Sequence, residues 1–152
     1  MEIPNIQGLG PNRKADRAKI AAGFVAVAEQ LGAEIELRDE PANPGFHGAG
    51  IAIRGQLNGV GFMLDVDDLH ERAGEIGSLL SWYNEAPWKR GEPVRDFSDA
   101  FAGAVKDLGW ILGRKHHKAS SSGSWQQLLR RFAAGLEVAA AGQAFVKEEV
   151  EA

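Results

Sequence analysis

The chain has 152 residues, enough for one domain with a sizeable core and too few for two ordinary ones. Apolar residues make up 44% and charged residues 25%, the mix of a folded chain rather than a disordered one. There is no cysteine, which excludes a disulfide scaffold, a cysteine nucleophile, an iron–sulfur cluster and every cysteine-based zinc site. Seventeen Lys and Arg against 21 Asp and Glu leave a formal net charge of −4, so the surface as a whole is not that of a basic nucleic-acid binder. The start, MEIPNIQGLGPNRK, lacks a basic segment followed by an apolar run, so no secretory signal is expected. No stretch approaches the ~18 apolar residues of a membrane span, and a cytoplasmic location follows as the expectation.

Residues 1–11 carry Pro4, Gly8, Gly10 and Pro11 and read as an irregular arm. From Asn12, a plausible N-cap, the pattern turns helical. Ile20, Phe24, Val27 and Leu31 lie on one stripe, and Gly32 supplies a left-handed stop. Arg13, Lys14, Arg17 and Lys19 crowd the first turns, where the helix dipole prefers acids. They are either incidental or facing a partner. Glu34-Ile-Glu-Leu-Arg38 alternates as a half-buried strand does, and Pro41 to Gly50 reads as a loop.

Residues 51–57 and 60–66 flank Asn58-Gly59, which tolerates the two positive φ angles of a type I′ turn. The pair is therefore a hairpin. A two-residue loop sets Leu57 opposite Val60, Gly55 opposite Phe62, Ile53 opposite Leu64 and Ile51 opposite Val66, all on one face. Arg54, Gln56, Met63 and Asp65 take the other, and a helix must cover the apolar side. An apolar hairpin edge left uncovered would support a dimer.

Residues 75–83 fit both periods. Leu69, Ala73, Ile76, Leu80 and Tyr83 suit a helix; Ile76, Ser78, Leu80 and Trp82 suit a strand. Gly74 and Gly77 tilt the reading to a fourth strand. Glu85 to Val94 reads as a loop. Ser98 caps a helix with stripe Phe101, Val105, Leu108 and Leu112, ended by Gly113. Ser124 and Gln127 form a capping-box pattern before a helix bearing Leu128, Phe132, Leu136 and Ala140, which stops near Gly142. Trp82, Trp110, Trp125, Phe97 and Phe145 are assigned mostly to the core.

The expected fold is α+β and a single domain over 1–152. It has an N-terminal helix, a three- or four-stranded antiparallel sheet around a central hairpin, and two C-terminal helices packed on one face. Residues 146–152 are expected to be a frayed tail. The helix–three-strand opening resembles a double-stranded-RNA-binding domain in topology, without that family's basic run at the start of its final helix.

Three constellations bear chemistry. The first is the basic loop Gly113 to Ser124. From Gly113 to Arg131 the chain has Arg114, Lys115, Lys118, Arg130, Arg131, His116 and His117 and no acid, which leaves −9 for the remainder. The loop leads into a helix N-terminus, where free amides and the hydroxyls of Ser120, Ser121 and Ser122 would receive a phosphate or carboxylate. Trp88, Lys89 and Arg90 place an aromatic beside two cations, suited to stacking on a base. The plain alternative is a solvated connection whose serines cap the helix.

The second is Asp65, Asp67, Asp68 and His70, oxygen and imidazole donors that would suit a cation. Their spacing matches no dedicated motif, and solvent-facing acids are the competing reading, so no metal or other cofactor is expected. The third is nucleophilic or acid–base chemistry by His116, His117 and the neighbouring serines. G-x-S-x-G, Walker A and a complete G-x-G-x-x-G are missing, so no catalytic residue is assigned.

At Ser81-Trp-Tyr-Asn84, Arg95-Asp-Phe97, His116-His-Lys-Ala-Ser120, Trp125 and Gly142-Gln-Ala-Phe145 the chain resembles small uncharacterised proteins encoded in bacteriophage and prophage genomes. The resemblance implies an accessory protein in the host cytoplasm that works by binding. The first reading is docking on a nucleic acid or host nucleoprotein through the basic loop. The second is a protein–protein inhibitor of a host defence protein, anti-CRISPR inhibitors included, using acids at Glu34, Glu36, Asp65, Asp67 and Asp68. The third is a metal- or histidine-dependent phosphoryl hydrolase.

Overall fold

A computed structural model describes residues 1–9, 13–41, 49–68, 76–85, 94–106, 110–111, 114–119 and 122–147. The elements in order are α1 (Arg13–Gln30), β1 (Glu34–Glu40), β2 (Gly50–Leu57), β3 (Val60–Asp68), β4 (Ile76–Asn84), β5 (Val94–Phe97), α2 (Asp99–Ala104), β6 (Trp110–Ile111), β7 (Arg114–Ala119), α3 (Ser122–Ala140) and β8 (Phe145–Lys147). Strands β1 to β4 form an antiparallel meander, and the helices α1 and α3 pack on one of its faces. The fold is α+β, as the periodicities predict.

The hairpin register is the one its turn dictates, with Leu57 opposite Val60, Gly55 opposite Phe62, Ile53 opposite Leu64 and Ile51 opposite Val66. Asn58 has φ 48° and Gly59 φ 84°, the left-handed pair that a type I′ turn requires. Phe62 lies over Gly55, where an added Cβ would come within 2.4 Å of the ring, so the glycine makes room for the aromatic. Neither hairpin edge is free. β1 pairs with β2 and β4 with β3, so the apolar edge proposed as a dimer surface is satisfied inside the sheet.

Residues 76–84 are a strand, with Ile76, Leu80 and Trp82 buried on the helix side and Ser81 between them on the other. The helix ends read from Gly32 and Gly142 hold. The Gly32 N–H reaches the Glu29 carbonyl at 3.0 Å and the Ala33 N–H the Ala28 carbonyl at 3.0 Å, a Schellman ending. Gly142 and Gln143 repeat it on Ala139 and Val138 at 3.0 and 3.2 Å. Ser98 caps α2, its Oγ accepting from the Phe101 N–H at 3.2 Å.

The core is a chain of rings. Phe132 of α3 meets Phe24 of α1 at 5.1 Å, Phe62 of β3 at 5.2 Å and Trp82 of β4 at 5.5 Å. Trp82 meets Phe101 at 5.3 Å, Phe101 meets Phe97 at 4.6 Å, and Phe97 stacks on Phe145 at 4.9 Å. Phe24–Phe132, Phe62–Phe132 and Trp82–Phe101 meet edge to face, and pairs of that kind each add ~0.5–1.5 kcal/mol beyond their burial.

Three expectations are corrected. The helix capped by Ser98 stops at Ala104, and Val105 ends it; the segment read as its last turns contains β6 instead. Its helical stripe was genuine at Phe101 and Val105, both buried, but pairing with β4 overrides propensity beyond them. Leu108 and Leu112 lie outside the described residues. α3 begins at Ser122, so Ser124 lies within the helix and Gln127 is not its capping partner; a run of serines offers several equivalent caps. Whether Trp110 belongs to the core lies outside the described side chains; its backbone pairs beside Ser81. Finally, β8 reaches Lys147 and pairs with β5, so residues 146 and 147 belong to a second, two-stranded sheet rather than to a tail.

The arm is also more ordered than its composition suggests. Gln30 and Gln126 hold its main chain against α1 and α3, and Ile6 is buried between them.

Candidate functional site

The basic segment is a strand, not a loop. Arg114 to Ala119 forms β7 and pairs antiparallel with the outer edge of β4, setting Lys115 opposite Leu80, His116 opposite Leu79, His117 opposite Ser78, Lys118 opposite Gly77 and Ala119 opposite Ile76. Two consequences follow from strand geometry. Successive strand residues alternate faces, so Lys115 and His117 take positions in the helix-side rows, while Arg114, His116 and Lys118 take positions in the rows of the opposite face. The strand also commits main-chain amides to the ladder with β4, which reduces those left for an anion.

The alternation also gives His116 and His117 register positions in rows of opposite faces. Ser122 is the first residue of α3, while Ser120 and Ser121, with Trp88, Lys89 and Arg90, lie outside the described residues.

The acids behave in the opposite way. The register places Glu34, Glu36 and Glu40 of β1 and Asp65 and Asp67 of β3 on one face of the sheet, the face that α1 and α3 leave. Arg38 and Arg54 are the described cations of β1 to β3 in the same rows, so five carboxylates meet two guanidinium groups and this part of the face is net acidic. Glu34 and Glu36 are exposed on β1. Gln56 Nε2 donates to Glu34 Oε2 at 2.9 Å, and Arg38 lies 3.7 Å from Glu36. Both members of that pair are well exposed, and such pairs contribute little beyond ~1 kcal/mol, so Glu36 keeps its reach toward solvent.

A shallow recess of about 400 Å³ opens here, bounded by Glu34, Glu36, Arg54, Tyr83 and Glu85. Tyr83 is positioned by a glycine. Its ring lies over Gly61, where an added Cβ would come within 2.2 Å of it. Burial raises the Tyr83 pKa above the usual 10.0. The Glu85 carboxylate adds to this by its charge and by accepting the phenol's hydrogen bond, while Arg54 opposes it. The recess thus offers an aromatic ring and a hydrogen-bonded carboxylate beside two further acids, a combination that suits a guanidinium or ammonium group. Tyr83 and Glu85 were missed in the sequence; the signal was a glycine and an aromatic on neighbouring strands, legible only with the register.

Of the metal candidates, Asp65 and Asp67 share this face, Asp68 ends β3 and His70 lies outside the described residues. The Asp67 carboxylate folds over Gly50, where a Cβ would meet it at 1.8 Å. Among the described residues no three His, Asp or Glu side chains cluster as metal ligands do. The cations at the start of α1 are partly absorbed internally: Arg17 is buried, and Lys19 Nζ donates to the Gly8 carbonyl at 3.0 Å. No described helix is long and apolar enough to cross a membrane.

Comparison of the chain with protein-family models, with curated proteins and with solved structures gives no match.

Proposed function

We propose that the protein is a binding module that engages a basic surface of a partner protein through the acidic face of its sheet. The observation that supports this most is the register, which gathers Glu34, Glu36, Asp65 and Asp67, distant in sequence, on one face. Carboxylates spaced along parallel rows mimic a line of phosphates, so the natural target is a surface built to hold nucleic acid. In a phage-encoded accessory protein that target would be a host defence or nucleic-acid-handling protein. The partner's Arg or Lys enters the recess at Tyr83 and Glu85.

A second reading keeps the basic strand. β7 lies at the edge of the sheet opposite β1, so the sheet is polarised from acid to base, and the β7 edge suits a phosphate backbone. Binding titrations separate the two, using a short arginine-rich peptide and a duplex oligonucleotide as probes at several salt concentrations. The proposal expects saturable peptide binding, weakened at least about tenfold by Glu34→Lys with Glu36→Lys, and little affinity for the duplex. Peptide affinity unmoved by those substitutions refutes it. Duplex binding that falls steeply with salt and is lost on Lys115→Glu with Lys118→Glu establishes the second reading instead.

A further inference from the structure

β1 ends the sheet. It pairs with β2 on one side, and among the described residues no strand pairs with the other. Its seven residues, Glu34–Glu40, run in unbroken register, without the proline, lysine or bulge that closes an edge to further strands. Glu34, Glu36, Leu37, Arg38 and Asp39 are exposed, and for Leu37 the exposure is 52%. Ile35 packs against the core and holds the strand in place.

The hairpin fixes which main-chain groups this edge offers. A two-residue turn makes Leu57 and Val60 a hydrogen-bonded pair, and along β2 the direction of the main-chain groups then alternates. Gln56, Arg54, Ala52 and Gly50 therefore turn theirs to β1, where Glu34, Glu36, Arg38 and Glu40 stand opposite and answer them. The N–H and C=O groups of Ile35, Leu37 and Asp39 point to the outer edge. A strand added antiparallel, as β1 to β4 already run, pairs at those three residues and sets its side chains level with those of β1.

Side chains decide which strand fits. Four acids against Arg38 leave β1 with a charge of −3, so a second copy of the same strand is repelled, while a strand of cations at alternate positions is attracted. We propose that the β1 edge captures an extended basic segment of a partner protein as an added antiparallel strand. Cations lie opposite Glu34, Glu36 and Glu40, an acid opposite Arg38 and an apolar residue opposite Leu37. This inference rests on the acidic-face reading above and supplies the way the partner is held, since Glu34 and Glu36 also border the recess at Tyr83.

The test uses the full chain and the capped peptide Lys-Thr-Glu-Val-Arg-Val-Arg, whose first residue stands opposite Glu40 and whose last stands opposite Glu34. An N-methyl group on the middle valine blocks the amide that faces Leu37. An N-methyl group on the next arginine, opposite Glu36, lies on the outer side of the added strand and is the control. By calorimetric titration the first should weaken binding at least about tenfold and the second less than about twofold. Leu37→Pro removes an outward N–H and leaves the ladder to β2 intact, so it should weaken binding as the first peptide does, with circular dichroism retained. If that variant unfolds, the two methylated peptides decide alone. Binding that is lost on Glu34→Lys with Glu36→Lys, yet is indifferent to the position of the N-methyl group, overturns strand addition and leaves the acidic-face reading standing. Failure of this peptide to bind while the arginine-rich peptide still binds does the same. Failure of both peptides overturns the acidic-face reading and this inference with it. A chain that sediments as a dimer without peptide, and as a monomer with Leu37→Pro, has its edge taken by a second copy, which also overturns the proposal.

Discussion

Asn58 links the tightest turn of the sheet to the end of the longest helix, and its replacement separates two contributions that the structure joins. The residue supplies a left-handed conformation at φ 48°. Its Nδ2 also donates to the Ala139 carbonyl at 2.9 Å, which accepts from the Gly142 N–H as well, and to the Ala140 carbonyl at 3.2 Å, both in the last turn of α3. Asn58→Gly keeps the conformation and removes the donor. The part-buried bond contributes about 1 kcal/mol, and the exposed one, readily replaced by water, roughly 0.5 kcal/mol. The expected loss is therefore about 1.5 kcal/mol. Asn58→Ala loses the same bonds and adds ~1 kcal/mol of left-handed strain, giving about 2.5 kcal/mol. Urea unfolding with an unchanged slope is the assay. For a chain of this size the same losses lower Tm by ~4 and ~8 °C. A Gly variant as stable as the parent would show that the side-chain bonds contribute nothing. An Ala variant no worse than the Gly variant would show that the turn makes no left-handed demand.

Gly135→Ala should destabilise despite alanine's better helix propensity, because the new Cβ would sit 2.5 Å from Val105 Cγ1, a buried and stiff side chain, with Trp82 at 3.5 Å. The overpacking cost of ~1–3 kcal/mol outweighs the gain, and a melting temperature at or above the parent's would contradict the close approach of Gly135 in α3 to Val105, the C-cap of α2. Tyr83 is the single tyrosine, so alkaline absorbance titration reads it alone. The folded protein should ionise above pH 10.0, and Glu85→Gln should bring the midpoint down; an ordinary midpoint in the folded state refutes the recess geometry. Because the folded state holds this proton to a higher pH than the unfolded one, its contribution to stability is complete below the unfolded pKa and is lost as pH rises through the folded value. Ser98→Ala removes both the α2 cap and the bond from Ser98 Oγ to the Gln143 carbonyl at 2.5 Å. About 1–2 kcal/mol should go with it by urea unfolding, against no change if neither bond matters.

What could be read from the sequence was local. Asn58-Gly59 set the hairpin register because a two-residue turn leaves no freedom, and that register carried the whole apolar face with it. Ile20, Phe24 and Val27 marked the buried stripe of α1 because a helix repeats within one turn, and Gly32 and Gly142 marked helix ends because few other residues accept a positive φ. The fourth strand needed only the alternation of Ile76, Leu80 and Trp82. The failures were nonlocal. Nothing near Arg114 says that it will pair with a strand far back in the chain. Nothing near Val94 says that Lys147 will be its partner. The glutamines that hold the arm look like ordinary helix surface until the arm is laid beside them.

Strand parity also decides which charges share a face. A run of like charges along the chain suggests a patch only if the chain there is irregular. In a strand the period of two divides the run between faces, and Lys115 and His117 part from His116 and Lys118. Acids at alternate positions do the reverse. Glu34 with Glu36, and Asp65 with Asp67, look sparse in the sequence, yet each pair already occupies one face of its strand. Antiparallel pairing through β2 then sets the two pairs on the same side of the sheet, ~10 Å apart across it and offset along it, Asp65 standing level with Arg38 and Asp67 with Glu40. Charge density on a sheet therefore follows parity and register rather than linear clustering, and by that measure the acidic face, not the basic run, is the more coherent surface for a partner of opposite charge.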